Sequence, residues 1–257
     1  MRVIVIGATG FVGSAFVRYF RKRGEDVLEV TRANYSEHAG TAGDLVIEAA
    51  CNSKKFWAEE RPFEEFDASV GHRLRSLRDF PAELHVHLSS VDVYDQLAAP
   101  EHTIEETGAV GGGSHYGFHK LLSELLVRRH ASNWLILRLA GMLGPGLRKN
   151  PVHDILHGQP LRIHPESQYQ FMCTDDVAVL AGEMITSGVH CEVFNLCGHG
   201  LISPRELAQL SGRELDLSLV TAEAKPRIVD VNISKAAARV RVPATRESVQ
   251  AFLAGTR

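Results

Sequence analysis

The chain has 257 residues, 44% of them hydrophobic and 23% charged, so it holds one large domain, or one domain with a small annex, and buries a core without covalent staples. Its 28 Lys and Arg against 31 Asp and Glu leave a formal net charge of -3, which removes the electrostatic case for binding nucleic acid or a membrane surface. No apolar stretch is long enough to span a bilayer. The cysteines Cys51, Cys173, Cys191 and Cys197 form neither a CxxC pair nor a zinc pattern, so reduced, mostly buried thiols and no metal are expected. The apolar start runs straight into a glycine motif and reads as a strand rather than an export signal. The expected compartment is the cytoplasm.

Val3–Ile6 is a short β-branched run, as expected for a strand buried on both faces. Glycines follow at Gly7, Gly10 and Gly13, then a helical pattern through Phe16, Val17 and Phe20 that Gly24 closes. Val27–Thr31 and Asp44–Ala50 read as strands. Pro62–Phe80 has helical spacing, with Phe63, Phe66, Val70, Leu74 and Leu77 as its apolar face. Glu83–Ser90 is a strand, Ser114–His130 a helix and Trp134–Leu139 a strand. Strands alternating with helices predict a Rossmann-type, doubly wound parallel α/β sheet.

Beyond Gly141 the pattern loosens into a stretch punctuated by Gly144-Pro145-Gly146, Asn150-Pro151, Gly158 and Pro160. Helices are expected over Asp175–Met184, from Ser203-Pro204 with Glu206 as its capping-box partner, and over Thr245–Leu253, with a strand at Val193–Leu196. The expected organisation is a dinucleotide-binding domain over 1–145, to which 171–198 return, and a small substrate lobe from 146–170 and 199–257.

Gly7-Ala8-Thr9-Gly10-Phe11-Val12-Gly13 joins a buried strand to a helix. Gly7 allows the tight turn, Gly10 a close approach to a pyrophosphate, and Gly13 close packing of helix on sheet. The helix N-terminus adds free N–H groups and a positive dipole end. No GKS or GKT follows, which excludes a Walker loop. At the end of the second strand stand Thr31 and Arg32, not an acid. Arg32 suits a 2′-phosphate, with Thr31 or Ser36 adding hydroxyls, so NADP is favoured. Glu29 keeps NAD open.

Tyr116 and Lys120 stand four apart, on one face of a helix. A phenol titrates near pH 10, and a nearby ammonium lowers that value. Ser90 ends the preceding strand, where ligands bind in open parallel sheets, and its hydroxyl can hold a carbonyl or alkoxide oxygen. His85 and His87 share a strand face without an identifiable third metal ligand. His115 and His119 bracket the Tyr116 turn and read as substrate contacts or as solvated helix residues. Asp175 and Asp176 suit a helix N-terminus.

The order of these motifs resembles the extended short-chain dehydrogenase/reductases, the NAD-dependent epimerase/dehydratase family. The likeness rests on GATGFVGS at 7–14, SSVDVY at 89–94, YGFHK at 116–120, RLAGMLGPG at 138–146, FMCTDDVA at 171–178 and FNLCG at 194–198. It implies Ser90, Tyr116 and Lys120 as the catalytic set, with Ser89 only a neighbour. It implies that Gly7, Thr9, Gly10, Phe11, Val12, Gly13, Thr31, Arg32, Ala49, Ala50, Tyr116 and Lys120 bind the cofactor. Ser90, Asp92, Gly141, Arg148 and Arg227 would meet the substrate. The implied activity is hydride exchange between nicotinamide and a sugar, nucleotide-linked, in a homodimer.

Three departures qualify the likeness. Ala140-Gly141-Met142 lacks the asparagine common in nucleotide-sugar enzymes. Ala33–Gly43 is too short for the usual helix and third strand. Val91-Asp92 supplies one acid where dehydratases carry two, which favours epimerisation or reduction over dehydration. Two other readings stay open: a reductase of a non-sugar carbonyl, and a dinucleotide-binding regulatory protein without catalysis.

Overall fold

The computed structural model describes residues 1–106 and 109–255. The last two positions of the expected lobe, 256 and 257, lie outside that range. The first strands are β1 (Arg2–Ile6), β2 (Asp26–Val30), β3 (Gly43–Glu48), β4 (Ala82–Ser90) and β5 (Trp134–Leu139). After the short β6 (Gly141–Leu143) and β7 (Phe171–Cys173) comes β8 (Glu192–Leu196). Six of them form one parallel sheet in the order β2-β1-β3-β4-β5-β8, and β6 pairs with β7 in a separate ladder. That ladder falls where the sequence pattern loosens.

The sheet's two faces differ because side chains alternate along each strand. One face is apolar: Val3, Val5, Leu45, Ile47, Val86, Leu88, Leu135 and Leu137 are buried there. Phe16 and Phe20 of α1 (Gly13–Lys22) pack on it, with Val177, Ala181 and Met184 of a later helix, Thr174–Thr186. Each such side chain contributes about 1.5–3 kcal/mol on burial. The alternate positions Glu48, His85, His87, Ser89, Arg138 and Asn195 are buried and polar.

Between β2 and β3 the chain makes only the one-turn helix α2 (Tyr35–His38), so β2 is the edge of the sheet, as the shortness of Ala33–Gly43 predicts. Tyr35 covers the apolar patch left there: its ring meets Phe80 at 5.2 Å and His72 at 5.4 Å, and its hydroxyl donates to Asp79 at 3.0 Å.

After β3 come α3 (Lys55–Glu60), α4 (Pro62–Phe66), a wide turn over Asp67–Gly71, and α5 (His72–Asp79). Here the expected apolar face is corrected in part. Val70 is buried and Leu77 packs on the Val127 and Ile136 cluster, as expected. Phe63, Phe66 and Leu74 instead face solvent, and Glu65, Ser69, Arg73 and Ser76 are buried. The polar positions of the sheet account for this, since Arg73 reaches Glu48 at 2.5 Å.

The helix α6 (His115–His130) packs beside α5 and is capped by Ser114, which accepts from Gly117 N. Its Glu124 receives a bidentate pair from Arg138 at 3.0 and 2.7 Å, plus the Ser89 hydroxyl at 2.6 Å. A buried carboxylate is stable only with such partners.

The remaining helices are α7 (Pro151–Leu156), α8 (Thr174–Thr186), α9 (Pro204–Ser211), α10 (Ser234–Ala237) and α11 (Thr245–Gly255). Leu143, Val152, Ile155, Phe171, Ile202, Leu207 and Val249 form a second core among β6, β7, α7, α9 and α11. The capping box of Ser203 and Glu206 opens α9 as its sequence predicts. The thiol expectation is half corrected: Cys197 is buried and Cys173 half-buried, but Cys51 and Cys191 are exposed. Both stand in connections rather than in elements. Among the described residues no helix is long and apolar enough to cross a membrane.

Candidate active site

The glycine loop builds a cradle. Gly7 has φ +82°, a region that disfavours side chains, and its N–H donates to Val30 O at 2.8 Å. A Cβ on Gly7 would stand 2.7 Å from Ala50 N, and one on Gly13 would overlap the Gly7 carbonyl oxygen. The turn therefore closes against Ala49 and Ala50, and α1 begins directly above it. Thr9 and Gly10 are exposed, and Phe11 and Val12 half-buried, on that turn. A bare backbone curve at a helix N-terminus fits the pyrophosphate of a dinucleotide.

At the end of β2 the outcome is mixed. Thr31 is occupied: its N–H and hydroxyl both donate to Asn34 Oδ1, at 2.6 and 3.0 Å. Arg32 and Ser36 are exposed beside it. Glu29, the residue that kept NAD open, is held by Arg21 of α1 in an ion pair.

Ser90 closes β4, and its hydroxyl donates to Asp92 Oδ2 at 2.8 Å and accepts from Asp92 N at 3.2 Å. Lys120 Nζ lies 5.7 Å from the centre of the Tyr116 ring. Gly117 explains why the two elements meet so closely. A Cβ there would overlap the Asp92 carbonyl oxygen, so only glycine lets the start of α6 press on the turn after Ser90. Behind that turn, Arg138 donates to Tyr94 Oη at 2.7 Å, and Tyr94 donates to Asn195 at 2.8 Å. Ser89 faces Glu124 instead of the cleft.

Burial pushes the Tyr116 phenol up to about 12, and the Lys120 ammonium offsets that only in part. The lysine acts in the expected direction, but without the oxidised nicotinamide that would add to it, desolvation is larger. The phenol therefore keeps its proton at neutral pH and suits a proton donor. Burial opposes the Lys120 charge, yet Cys51 and Tyr116 outweigh it and raise the ammonium to about 12. Burial likewise opposes the Asp92 charge. Lys55, Ser90 and Arg227 outweigh it and hold Asp92 below the usual carboxylate range.

Three cations border the cleft. Lys55 Nζ is 2.6 Å from Asp92 and 5.9 Å from the centre of the Tyr116 ring. Arg227 Nη2 is 3.6 Å from Asp92. Lys149 donates to the Ser53 carbonyl oxygen. Arg227 is thus brought to the site as expected, while Arg148 is exposed and its neighbour Lys149 makes the reach. Gly141 starts β6, and a Cβ there would stand 2.6 Å from the Phe171 ring, so packing accounts for it.

Sequence reasoning missed Lys55 and Cys51. The available signal was a Lys54-Lys55 pair just past the carboxyl end of a parallel strand, where such sheets bind ligands. His119 is buried against Glu65, and His115 is exposed. Asp175 pairs with Arg18 at 2.5 Å at the start of α8, a structural use. His85 and His87 belong to the buried polar layer behind the sheet.

A buried phenol and an ammonium thus meet near the turn that carries the Ser90 hydroxyl, and the ammonium also reaches Cys51, next to the Ala50 that packs on the glycine loop. Comparison with known proteins gives the family and the fold. Residues 3–197 match the model of the NAD dependent epimerase/dehydratase family. The chain is 23% identical to a dTDP-glucose 4,6-dehydratase of Neisseria meningitidis serogroup B (strain ATCC BAA-335 / MC58), across 77% of this chain and 71% of that one. Its fold matches that of MoeE5 in complex with UDP-glucuronic acid and NAD, with TM-score 0.82 and 22% identity over 100% and 99% of the two chains. A dTDP-4-dehydrorhamnose reductase of Clostridium acetobutylicum ATCC 824 matches with TM-score 0.82 and 18% identity, over the same shares.

Proposed function

The chain belongs to the NAD dependent epimerase/dehydratase family, and from that premise we propose that it is an NADP-dependent oxidoreductase or epimerase exchanging hydride with a nucleotide-linked sugar. The observation that carries the reading is the meeting of Ser90, Tyr116 and Lys120 beside the glycine cradle. Ser90 Oγ holds the substrate oxygen. Tyr116 Oη gives that oxygen its proton in the reductive direction and takes it back in the oxidative one. Lys120 orients the nicotinamide ribose and stabilises the phenolate left after proton donation. The bound dinucleotide supplies and accepts the hydride.

NADP is preferred because Arg32 is exposed at the end of β2 and Glu29 is engaged by Arg21. Lys55, Lys149 and Arg227 give the cleft the positive charge that a sugar nucleotide's diphosphate requires. The proposed division of labour puts dinucleotide binding in 1–145 and 171–198, with the 146–170 and 199–257 segments holding the substrate. A proposed homodimer would form through the exposed apolar side chains of α4, α5 and α6. A second reading, reduction of a non-sugar carbonyl, draws on the lack of asparagine in Ala140-Gly141-Met142.

Tyr116→Phe tests the reading. Turnover of nucleotide sugars should fall roughly 100- to 10,000-fold, the size of a lost general acid, with NADPH affinity nearly unchanged. Undiminished turnover in that variant would remove the mechanism. Failure of UDP, dTDP and GDP alike to compete with substrate would favour the non-sugar carbonyl.

A further inference from the structure

Residues 49–54 connect β3 to α3, whose first residue is Lys55. Their root is Ala50, packed so closely on the glycine loop that a Cβ on Gly7 would meet its N–H. At Cys51 the sulfur accepts from Lys120 Nζ at 2.9 Å. Further on, the Ser53 carbonyl oxygen accepts from Lys149, and Lys55 reaches Asp92.

Lys120 is only 3% exposed, so its ammonium depends on protein acceptors. Its other hydrogen bond, to the Leu88 carbonyl oxygen, is long at 3.4 Å. The Tyr116 ring adds only a cation–π contact at 5.7 Å. Cys51 is thus the near acceptor for a charge that is costly to bury unpaired.

We propose that Cys51 is a positioning residue of the dinucleotide site: its sulfur holds the Lys120 ammonium and competes for it with the hydroxyls of the nicotinamide ribose. The inference rests on the reading of Lys120 as a ribose ligand.

The competition has a definite sign. Without the sulfur, the ammonium lacks its near acceptor only while no ribose is bound. Cys51→Ala should then lower the melting temperature measured without dinucleotide and tighten NADPH binding by about tenfold, the worth of a hydrogen bond to a charged group. Cys51→Ser, which keeps an acceptor oxygen, should return both values toward those of the natural chain. A side chain that merely supported the cleft would weaken NADPH binding when removed.

The second readout is alkylation of Cys51 by iodoacetamide, followed by peptide mass spectrometry in a Cys191→Ser background. NADP should slow Cys51 labelling, because the nicotinamide ribose draws away the ammonium that makes the sulfur reactive. Adenosine 2′,5′-bisphosphate has no nicotinamide ribose and should leave labelling unchanged. NADPH binding with unaltered labelling, or Cys51→Ala binding NADPH no more tightly, overturns the proposal. If the natural chain binds no NADPH, the dinucleotide reading falls and this proposal with it. If Cys51→Ala fails to fold, the labelling comparison decides alone.

Discussion

His85 and His87 project from β4 into the layer shared with α5 and α6, and neither has room for a charge. Burial, then the Arg73 guanidinium, lowers His85 to about 4 and His87 well below its ordinary 6.5. The unfolded chain therefore binds protons that the folded one refuses. Stability is complete above about pH 6.5 and declines as the pH falls toward 4. For His85 alone the loss at pH 5 is about 2 kcal/mol, from roughly 1.4 kcal/mol per unit. Urea unfolding near pH 7.5 and near pH 5 should show at least that loss, because His87 adds its own, and His85→Gln should remove about half of the total. An equal loss in the variant would assign the acid sensitivity elsewhere. Among the described residues, neither ring nitrogen of His87 has a hydrogen-bond partner, which places it among the costlier residues of this layer.

The helices α4, α5 and α6 carry an exposed apolar face. Phe63 is 85% exposed, and Phe66, Leu74, Phe118 and Leu125 are also open. Phe66 and Phe118 both lie against His119, so the α4 and α6 contributions adjoin. We propose that this apolar surface is the dimer interface. A homodimer through it should sediment as two chains, and Phe63→Glu with Leu125→Glu should yield folded monomer. A natural chain that sediments as a monomer at micromolar concentration contradicts it.

The periodicity of Pro62–Phe80 could not show which side faces the sheet. Glu48 and Arg73 are 25 positions apart by their numbering, and neither announces the other in its local sequence. By contrast, β1, α1 and β5 were legible because their apolar residues pack on an apolar face, where burial follows hydropathy. The site divides the same way. Ser90, Tyr116 and Lys120 were readable from motif order. The convergence of Lys55 on Asp92 depends on a connection with no pattern of its own.

At the scale of the whole molecule, 257 residues leave a sheet that ends at β2, with Tyr35 and α2 closing the side where a further strand would stand. The shortened edge leaves Arg32 exposed and the glycine cradle intact. The second core carries β6, β7, α7, α9 and α11. Arg227, just before Val229 and Val231 of a separate buried cluster with Val91 and Tyr94, reaches Asp92.

The central claim is that this cleft passes hydride between a dinucleotide and a sugar while Tyr116 handles the proton. Its most direct test is deuterium transfer. Protein is incubated with NADPH deuterated at the reactive carbon and a set of nucleotide-linked keto-sugars, and the sugars are weighed by mass spectrometry. The account predicts deuterium on a carbinol carbon of at least one sugar, and none with Tyr116→Phe. NADPH that binds yet keeps its deuterium with every sugar would contradict it.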